Sequence, residues 1–336
     1  MIYTVAKTMN LEIKDLTLRL HLKKPAGGYI NVVDSIDLNV KGGEIAAVVG
    51  ESGSGKSLLG LSILRLNPPG VSEIVSGSVK IKCLGEKDEL DIIKLYPKDL
   101  PSVRGRLISM VFQDPNTSLN PVIKIGEQIT EAIFAHEKRD KSEAKEIAIS
   151  YLNRMNVDGR ARFNSYPHEL SGGMRQRVMI AMAMVLNPCF LIADEPTTAL
   201  DVTTSLQVLN LIEKIRFESG LGVIFVTHDL SIAKNISDKV YVFYAGQVME
   251  CGKTEEVIDN PLHPYTVSLI KSIPSLSKDY MPGQKLFAIP GYLARDDFTP
   301  GKCRFYSRCF KKDKDCLQSI PLNDITRERS LRCIKV

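Results

Sequence analysis

Long apolar runs are missing from this chain of 336 residues. The longest uninterrupted apolar stretch, Val178 to Leu186, is far shorter than the roughly 20 residues that a membrane-spanning helix needs. The amino terminus, Met1 to Thr4, has neither the basic region nor the apolar segment of a signal peptide. These absences predict a cytosolic protein whose association with a membrane depends on partner proteins.

Blocks of like charge are also missing. The net charge is +5, and the basic residues are dispersed rather than clustered, so the sequence gives no indication of nucleic-acid binding. There is no internal repeat and no low-complexity tract. With 44% hydrophobic and 25% charged residues, the composition is that of a globular protein large enough for one domain and an appendage.

The seven cysteines lack the Cys-x-x-Cys pairs that are typical of structural zinc sites. Cys83, Cys189 and Cys251 are isolated in the sequence, and two of them lie in apolar, strand-like stretches, where we expect small buried apolar side chains. The other four lie within the last 34 residues: Cys303, Cys309, Cys316 and Cys333. In a reducing cytosol, such a group favours a metal or cluster site over disulfides.

Apolar runs and helical spacing alternate along the chain, which predicts an α/β fold with a mostly parallel sheet covered on both faces. Predicted strands are 11–20, 31–40, 44–49, 78–84, 189–195 and 222–228. Predicted helices begin at Lys56, Gly126, Lys141, Gly173 and Thr203. The first should end near Asn67, and the helix after Gly173 must stop at Asn187-Pro188.

A glycine-rich loop lies between the strand at 44–49 and the helix at Lys56. Its spacing is Gly50-x-x-x-x-Gly55-Lys56-Ser57, with Glu51, Ser52, Gly53 and Ser54 between the glycines. Glycines let backbone N–H groups point at phosphates, the helix N-terminus adds partial positive charge, and the lysine adds a full one. The serine hydroxyl is suited to bind Mg²⁺. A chance glycine-rich turn is disfavoured, because a strand precedes this loop and a helix follows it.

Two acids, Asp194 and Glu195, follow the apolar strand that starts at Cys189. Adjacent side chains of an extended chain point in opposite directions, so the two carboxylates can divide labour. Asp194 would hold Mg²⁺, directly or through water, while Glu195 would orient and polarise an attacking water. A helix-capping pair before Pro196 is the structural alternative.

Gln113 and His228 each follow a predicted strand as well. An amide at Gln113 is able to reach the metal or the water, and His228 is able to contact a γ-phosphate. Taken alone, each residue is more often a solvated or structural side chain.

Together these residues resemble the motif set of an ATP-binding-cassette (ABC) ATPase over about residues 8 to 260. The resemblance also includes Leu170-Ser171-Gly172-Gly173 and Ala199-Leu200-Asp201. In that family Ser171, Gly172 and Gly173 would face the phosphate loop of a second cassette, so that ATP is buried between two subunits. The residues agree, because Ser171 opens a second helix N-terminus that one nucleotide does not need.

Three further stretches resemble the ATPases of dipeptide, oligopeptide and nickel importers. They are 112–121, 166–177 and 260–266. The resemblance implies a companion cassette of different sequence, two transmembrane permease subunits and an extracytoplasmic solute-binding protein. It also implies a peripheral position at the cytoplasmic face of the cell membrane, with Gln113 near the permease. The cargo would be a peptide, or alternatively nickel or an oligosaccharide.

The cysteine-rich tail is similar to the carboxy-terminal region of the same ATPases, some of which bind a [4Fe–4S] cluster. Four thiolates suit such a cluster, while zinc and free thiols remain alternatives. Ser307 stands where the family commonly has proline. Leu20 occupies a position that is often aromatic, which leaves Tyr29 or His21 to stack on adenine.

We therefore predict a P-loop ABC-type core with a parallel sheet, an antiparallel β subdomain, a helical subdomain at about 115–185 and a cysteine-bearing extension. The ATPase domain would span 8–260 and the extension 261–336. Asp201 would belong to the loop that meets the second cassette. The rival classes are a soluble cassette ATPase of DNA repair or translation, and a redox-sensing module with structural ATP.

Overall fold

The computed structural model describes residues 9–22, 27–83, 89–198, 200–273 and 287–336. The chain divides into two compact units, which are described separately below. The first unit contains Met1–Leu11, Lys41–Glu44 and Ile81–Ile224. The second unit contains Glu12–Val40, Ile45–Lys80 and Phe225–Val336. Ala199 and Leu84, which the sequence placed in a loop motif and a strand, lie outside the described residues.

Strands and helices alternate through the central part of the chain. The strands are β1 Asn10–His21, β2 Tyr29–Lys41, β3 Ile45–Val49, β4 Ser72–Lys82, β5 Leu90–Asp91, β6 Ile108–Val111, β7 Phe190–Asp194, β8 Gly222–Thr227, β9 Lys239–Tyr244, β10 Gln247–Lys253, β11 Asn323–Thr326 and β12 Arg329–Leu331. The helices are α1 Lys56–Ile63, α2 Pro115–Ser118, α3 Ile125–Phe134, α4 Lys141–Arg154, α5 Gly159–Arg162, α6 Gly172–Met184, α7 Val202–Ser219, α8 Leu230–Ile236, α9 Thr254–Asp259 and α10 Pro264–Ser272.

The first unit combines parallel strands with helices. Strand β6 pairs in parallel with β7, with Met110 opposite Ile192 and Val111 opposite Ala193. All five residues of β7 are buried, as expected for a strand that is covered on both faces. Helices α3, α5 and α6 all pack against α4. Asp194, the last residue of β7, therefore ends a fully buried strand.

The second unit contains parallel and antiparallel pairs. Strand β3 runs parallel to β9, which pairs antiparallel with β10. Strand β12 continues this sheet by pairing with both β10 and β11. Strands β2, β1 and β4 lie next to one another in that order in a separate sheet. The fully buried strand β3 leads directly to the glycine-rich loop, so that loop starts from a fixed point.

The predicted elements are observed with shifted ends, and the sequence did not predict strands β9 to β12. The helix that starts at Lys56 ends at Ile63, short of Asn67. Arg65 takes a left-handed φ of 53°, and its N–H donates to Ser62 while the Leu66 N–H donates to Leu61. This pair of hydrogen bonds is a Schellman motif, which terminates a helix even where glycine is absent.

The expectation that Cys83 and Cys189 are unlinked apolar side chains is wrong. The two residues form a disulfide across a Cα–Cα distance of 6.1 Å, although 106 residues separate them in sequence. Cys83 follows β4 and Cys189 precedes β7, and folding brings these two points within disulfide range. Cys251 in β10 remains a thiol, and burial raises its pKa to about 11.

Within the described ranges, no helix combines the length and the apolar character that crossing a bilayer requires.

Candidate functional site

The glycine-rich loop at 50–57 packs closely against the backbone of other segments of the second unit. Gly50 and Gly55 have φ angles of 156° and 108°. A Cβ on Gly50 would lie 2.0 Å from the carbonyl oxygen of Phe243, and one on Gly55 would lie 2.2 Å from that of Val32. Only glycine fits at either position, because a larger residue would collide with backbone that cannot move aside. By contrast, a Cβ on Gly53 would meet only a side chain, 3.9 Å away.

Lys56 holds the loop in a curve. Its Nζ donates to the carbonyl oxygens of Gly50 and Glu51 at 2.8 and 2.9 Å, and the side chain is only 4% exposed. Among the described residues, the buried Ser54 hydroxyl makes no hydrogen bond, although burial of such a group is costly. A concave loop with a buried cation, an unsatisfied hydroxyl and the start of α1 fits a polyphosphate. Ser57, the predicted Mg²⁺ ligand, is the second residue of α1.

His228 lies in the same unit, directly after β8, and is exposed. The next residue, Asp229, caps α8 by accepting hydrogen bonds from the N–H groups of Ser231 and Ile232. Its own N–H donates to the Thr227 hydroxyl at 3.0 Å. The turn that carries His228 is thus fixed on both sides, which limits the positions that the imidazole can reach.

In the first unit, Glu195 and Gln113 are brought together. The Gln113 amide Nε2 and the Thr198 hydroxyl both donate to Glu195 Oε2, at 3.0 and 2.9 Å. Glu195 is 8% exposed and has a left-handed φ of 45°. That conformation costs a non-glycine residue about 1–2 kcal/mol, and it ends the extended chain directly after Asp194, the last residue of β7. Both acids are buried.

The serine-glycine motif begins helix α6. The Ser171 hydroxyl accepts a hydrogen bond from the Met174 N–H, and Ser171 itself is exposed. A Cβ on Gly173 would lie 2.3 Å from Thr204 Cγ2 of α7. Asp201 caps α7 by accepting from the Thr204 N–H at 2.9 Å, and the bonds from Thr204 lower its pKa. Gly173 therefore permits close packing of α6 on α7, while Ser171 and Gly172 stay near the surface.

The predicted site residues divide between the two units. The phosphate loop and His228 belong to the second unit. Gln113, Asp194, Glu195, the motif at 171–173 and Asp201 belong to the first. Within each unit the structure brings the predicted residues to strand ends and helix starts.

Sequence reasoning missed two residues of the second unit that bind the phosphate loop. Tyr265 accepts a hydrogen bond from the Glu51 N–H, and Arg308 pairs with the Glu51 carboxylate. The available signal was the resemblance of 260–266 to the importer ATPases. That stretch includes Tyr265, but the resemblance does not show what the tyrosine contacts.

A backbone hydrogen bond joins two of the four tail cysteines. Burial and then the charges of Cys309, Cys316 and Cys333 raise the pKa of Cys303 to about 11. The Cys303 N–H also donates to the Cys316 carbonyl oxygen at 3.0 Å. The donor set is all sulfur, as iron–sulfur clusters require. However, the described part of the chain has no group of three His, Cys, Asp or Glu side chains arranged to hold a metal ion.

Lowering the pH from 7 to 5.5 is expected to destabilise the protein through His263. Burial lowers its pKa to about 3, and its neutral Nδ1 accepts from the Tyr265 N–H. The charge of Arg332 also lowers the pKa of His263, whereas a hydrogen bond with the Arg332 backbone raises it. The nearby Glu250 carboxylate accepts a hydrogen bond from the His263 backbone N–H. Below an unfolded pKa of about 6.5 the unfolded chain binds the extra proton, so the free energy of unfolding falls by up to about 1.4 kcal/mol per pH unit.

Denaturant titrations at pH 7 and 5.5 measure this loss. His263→Gln should show a smaller difference between the two pH values, whereas His21→Gln, at an exposed position, should match the native protein. An unchanged difference in His263→Gln would contradict the assignment.

Comparisons with known proteins identify the family of this chain. The family model described as "ABC transporter" matches residues 33–198. A second family model, "Oligopeptide/dipeptide transporter, C-terminal region", matches residues 249–316. A peptide import ATP-binding protein of Brucella abortus (strain 2308) is 44% identical over 312 residues, which cover 91% of this chain and 92% of the relative. The chain belongs to the ABC transporter family. A similarly named protein of Brucella suis is 41% identical over 96% of this chain and 94% of its own length.

Solved structures confirm the ABC cassette fold. The dimeric structure of the bacterial ABC transporter cassette MJ0796 has a TM-score of 0.62 and 29% identity, covering 73% of this chain and 98% of the cassette. The structure of cbiO1 from Clostridium perfringens, part of the ABC transporter complex cbiONQ, has a TM-score of 0.59 and 26% identity. It covers 74% of this ABC chain and 90% of the other. The predicted P-loop α/β fold is therefore confirmed.

Proposed function

We propose that this ABC protein hydrolyses ATP to power the import of peptides. The observation that carries the proposal is the loop at 50–57, in which glycines, Lys56 and Ser54 form a cradle for phosphates. The relatives are named for peptide import, and they match this chain over nearly their whole length. Their names therefore support peptide cargo.

In the proposed reaction, water attacks the γ-phosphoryl group in line and yields ADP and phosphate. The loop residues Gly50, Glu51, Ser52, Gly53, Ser54, Gly55, Lys56 and Ser57 bind the nucleotide. Glu195 orients the water, and His228 contacts the γ-phosphate. Bound Mg²⁺ would neutralise phosphate charge, and Ser57, Gln113 and Asp194 would hold it. The hydrogen bond from Gln113 Nε2 to Glu195 leaves the amide oxygen as the atom that reaches the metal or water.

We also propose the domain bounds of this chain and the partner proteins with which it acts. Residues 8–260 would form the ATPase domain and 261–336 the extension. Ser171, Gly172 and Gly173, with Asp201, would complete the ATP site of a companion cassette, since Ser171 and Gly172 lie near the surface at the start of α6. Two permease subunits and a solute-binding protein would complete the importer, with this subunit at the cytoplasmic face of the membrane.

Reconstitution tests this function. The chain, its companion cassette and both permeases are placed in proteoliposomes with the solute-binding protein and a labelled peptide. Peptide uptake should require enclosed Mg-ATP and should not occur with ADP. Uptake that is independent of ATP, or ATP-driven uptake of only nickel or an oligosaccharide, would refute peptide import.

We further propose that Cys303, Cys309, Cys316 and Cys333 bind a [4Fe–4S] cluster. The hydrogen bond from the Cys303 N–H to the Cys316 carbonyl oxygen supports this, because it brings two of the four cysteines together. Burial raises the pKa values of Cys303, Cys309 and Cys333, so cluster binding would displace their protons.

Iron analysis and visible absorption of anaerobically purified protein test the cluster. We expect iron in the native protein and its loss in Cys316→Ser. Cys251→Ser, which changes a cysteine outside the tail, should keep it. Native protein without iron, or with zinc in its place, would exclude the cluster.

A further inference from the structure

Glu51, the second residue of the phosphate loop, is bound by the carboxy-terminal part of the chain. Its N–H donates to the Tyr265 hydroxyl at 3.0 Å. Its two carboxylate oxygens accept from Arg308 Nη1 at 3.0 and 2.9 Å. Its carbonyl oxygen accepts from Lys56, the lysine that curves the loop. The Ser54 N–H also donates to this carbonyl oxygen at 3.3 Å. Every polar group of Glu51 is therefore used, and two of its partners, Tyr265 and Arg308, come from beyond residue 260.

Arg308 is itself rigidly held. Its Nε donates to the Pro290 carbonyl oxygen at 2.8 Å, and its Nη2 lies 3.4 Å from that of Gly291. Nη1 also lies 3.4 Å from the Tyr244 hydroxyl. The Arg308 side chain is only 6% exposed. A charged side chain buried to this degree needs a partner, and the Glu51 carboxylate is the anion that the structure supplies.

Asp297 fixes the wall behind Arg308. It accepts hydrogen bonds from the Tyr244 hydroxyl at 2.9 Å and from the Ser307 hydroxyl at 2.7 Å. The Ala294 N–H donates to the same carboxylate at 3.0 Å. Three chain segments therefore converge on one carboxylate, next to the arginine that pairs with the loop.

Aromatic rings fix Tyr265 in the same way. The Tyr244 and Tyr265 rings lie 4.7 Å apart, and the Phe305 ring lies 5.2 and 5.1 Å from them. All three rings are fully buried. Edge-on packing of this kind restricts ring movement, so the Tyr265 hydroxyl stays opposite the Glu51 N–H.

We propose that Arg308 is a positioning residue for nucleotide binding, and that the carboxy-terminal extension thereby sets the ATP affinity of the phosphate loop. Arg308 acts through Glu51 and does not touch ATP. It neutralises a carboxylate within a loop that has to accept a polyphosphate, and it holds that carboxylate to one side. Without Arg308, the Glu51 charge would repel the phosphates, and the carbonyl that binds Lys56 would lose its anchor.

The proposal rests on ATP binding by the loop, and its test uses the full-length chain. We measure binding of a fluorescent ATP analogue to Arg308→Met, Glu51→Gln and the double variant. Arg308→Met should raise the dissociation constant about tenfold, which corresponds to roughly one buried charge interaction. Glu51→Gln serves only as the reference background of this cycle, in which Arg308 has no carboxylate to neutralise. In the Glu51→Gln background, adding Arg308→Met should change affinity less than about twofold.

Arg308→Lys keeps the charge but loses the geometry of the guanidinium, and it replaces Arg308→Met if that variant does not fold. It should weaken binding about threefold in the native background and leave it unchanged with Glu51→Gln. Lys312→Ala, four residues further along an exposed segment, serves as the control and should bind normally. In the assembled transporter, Arg308→Met should raise KM for ATP and leave kcat within about twofold.

The outcomes separate this inference from the proposed function. Native protein that binds no ATP would refute the function itself. Native protein that binds ATP while Arg308→Met binds equally well would overturn only the positioning role. The same holds if Arg308→Met weakens binding equally in both backgrounds, since a purely structural arginine would not depend on Glu51.

Discussion

Replacing Glu195 by glutamine is expected to lower the ATP turnover number by about 100- to 10,000-fold while ATP binding persists. The Glu195 carboxylate is nearly buried and accepts hydrogen bonds from Gln113 and Thr198 on one oxygen. These bonds fix the orientation of the carboxylate that would polarise the water. Glutamine keeps the shape of the side chain but cannot accept a proton, so the nucleotide should bind and fail to turn over.

Phosphate release by the purified transporter measures turnover, and nucleotide retention measures binding. Glu218→Gln, an exposed change on α7, should leave both unchanged. Turnover of Glu195→Gln at more than about one tenth of the native rate would show that another group activates the water.

Replacing Glu250 by alanine is expected to reduce the free energy of unfolding by about 3–5 kcal/mol. Glu250 in β10 is 0% exposed and pairs with Arg329 of β12. It also accepts hydrogen bonds from the N–H groups of Leu262 and His263. Alanine would leave the buried Arg329 without its counter-charge and the turn before α10 without its acceptor.

Denaturant unfolding of the full chain measures the loss. Lys253→Ala is the matched control, because Lys253 also lies in β10 and pairs with Glu328, but both side chains are about half exposed. That change should cost less than about 1 kcal/mol. Similar losses in the two variants would contradict the assignment of a structural role to the buried pair.

Sequence reasoning works well where a local pattern carries the information. The apolar run at 45–49 and the glycines at 50 and 55 identify a strand and a phosphate loop from neighbouring residues alone. The structure shows why glycine is required there, since backbone carbonyls of Phe243 and Val32 leave no room for a Cβ.

Contacts between distant residues explain what sequence reasoning missed. Arg308 and Glu51 are 257 positions apart, and Cys83 and Cys189 are 106 apart. Nothing near Glu51 in sequence indicates its partner, and a single arginine in a basic tail resembles a solvated surface charge. The short helix after Lys56 was missed for a local reason, since a left-handed arginine is uncommon.

The separation between Glu51 and Arg308 has a consequence for the order of assembly in the cell. The ribosome synthesises the glycine-rich segment long before it reaches Arg308, which lies 257 positions after Glu51. Domains generally fold in the order of their synthesis, but this anchor forms only after residue 308 has been made. A nascent chain that has not yet reached Arg308 therefore carries a nucleotide cradle without this anchor.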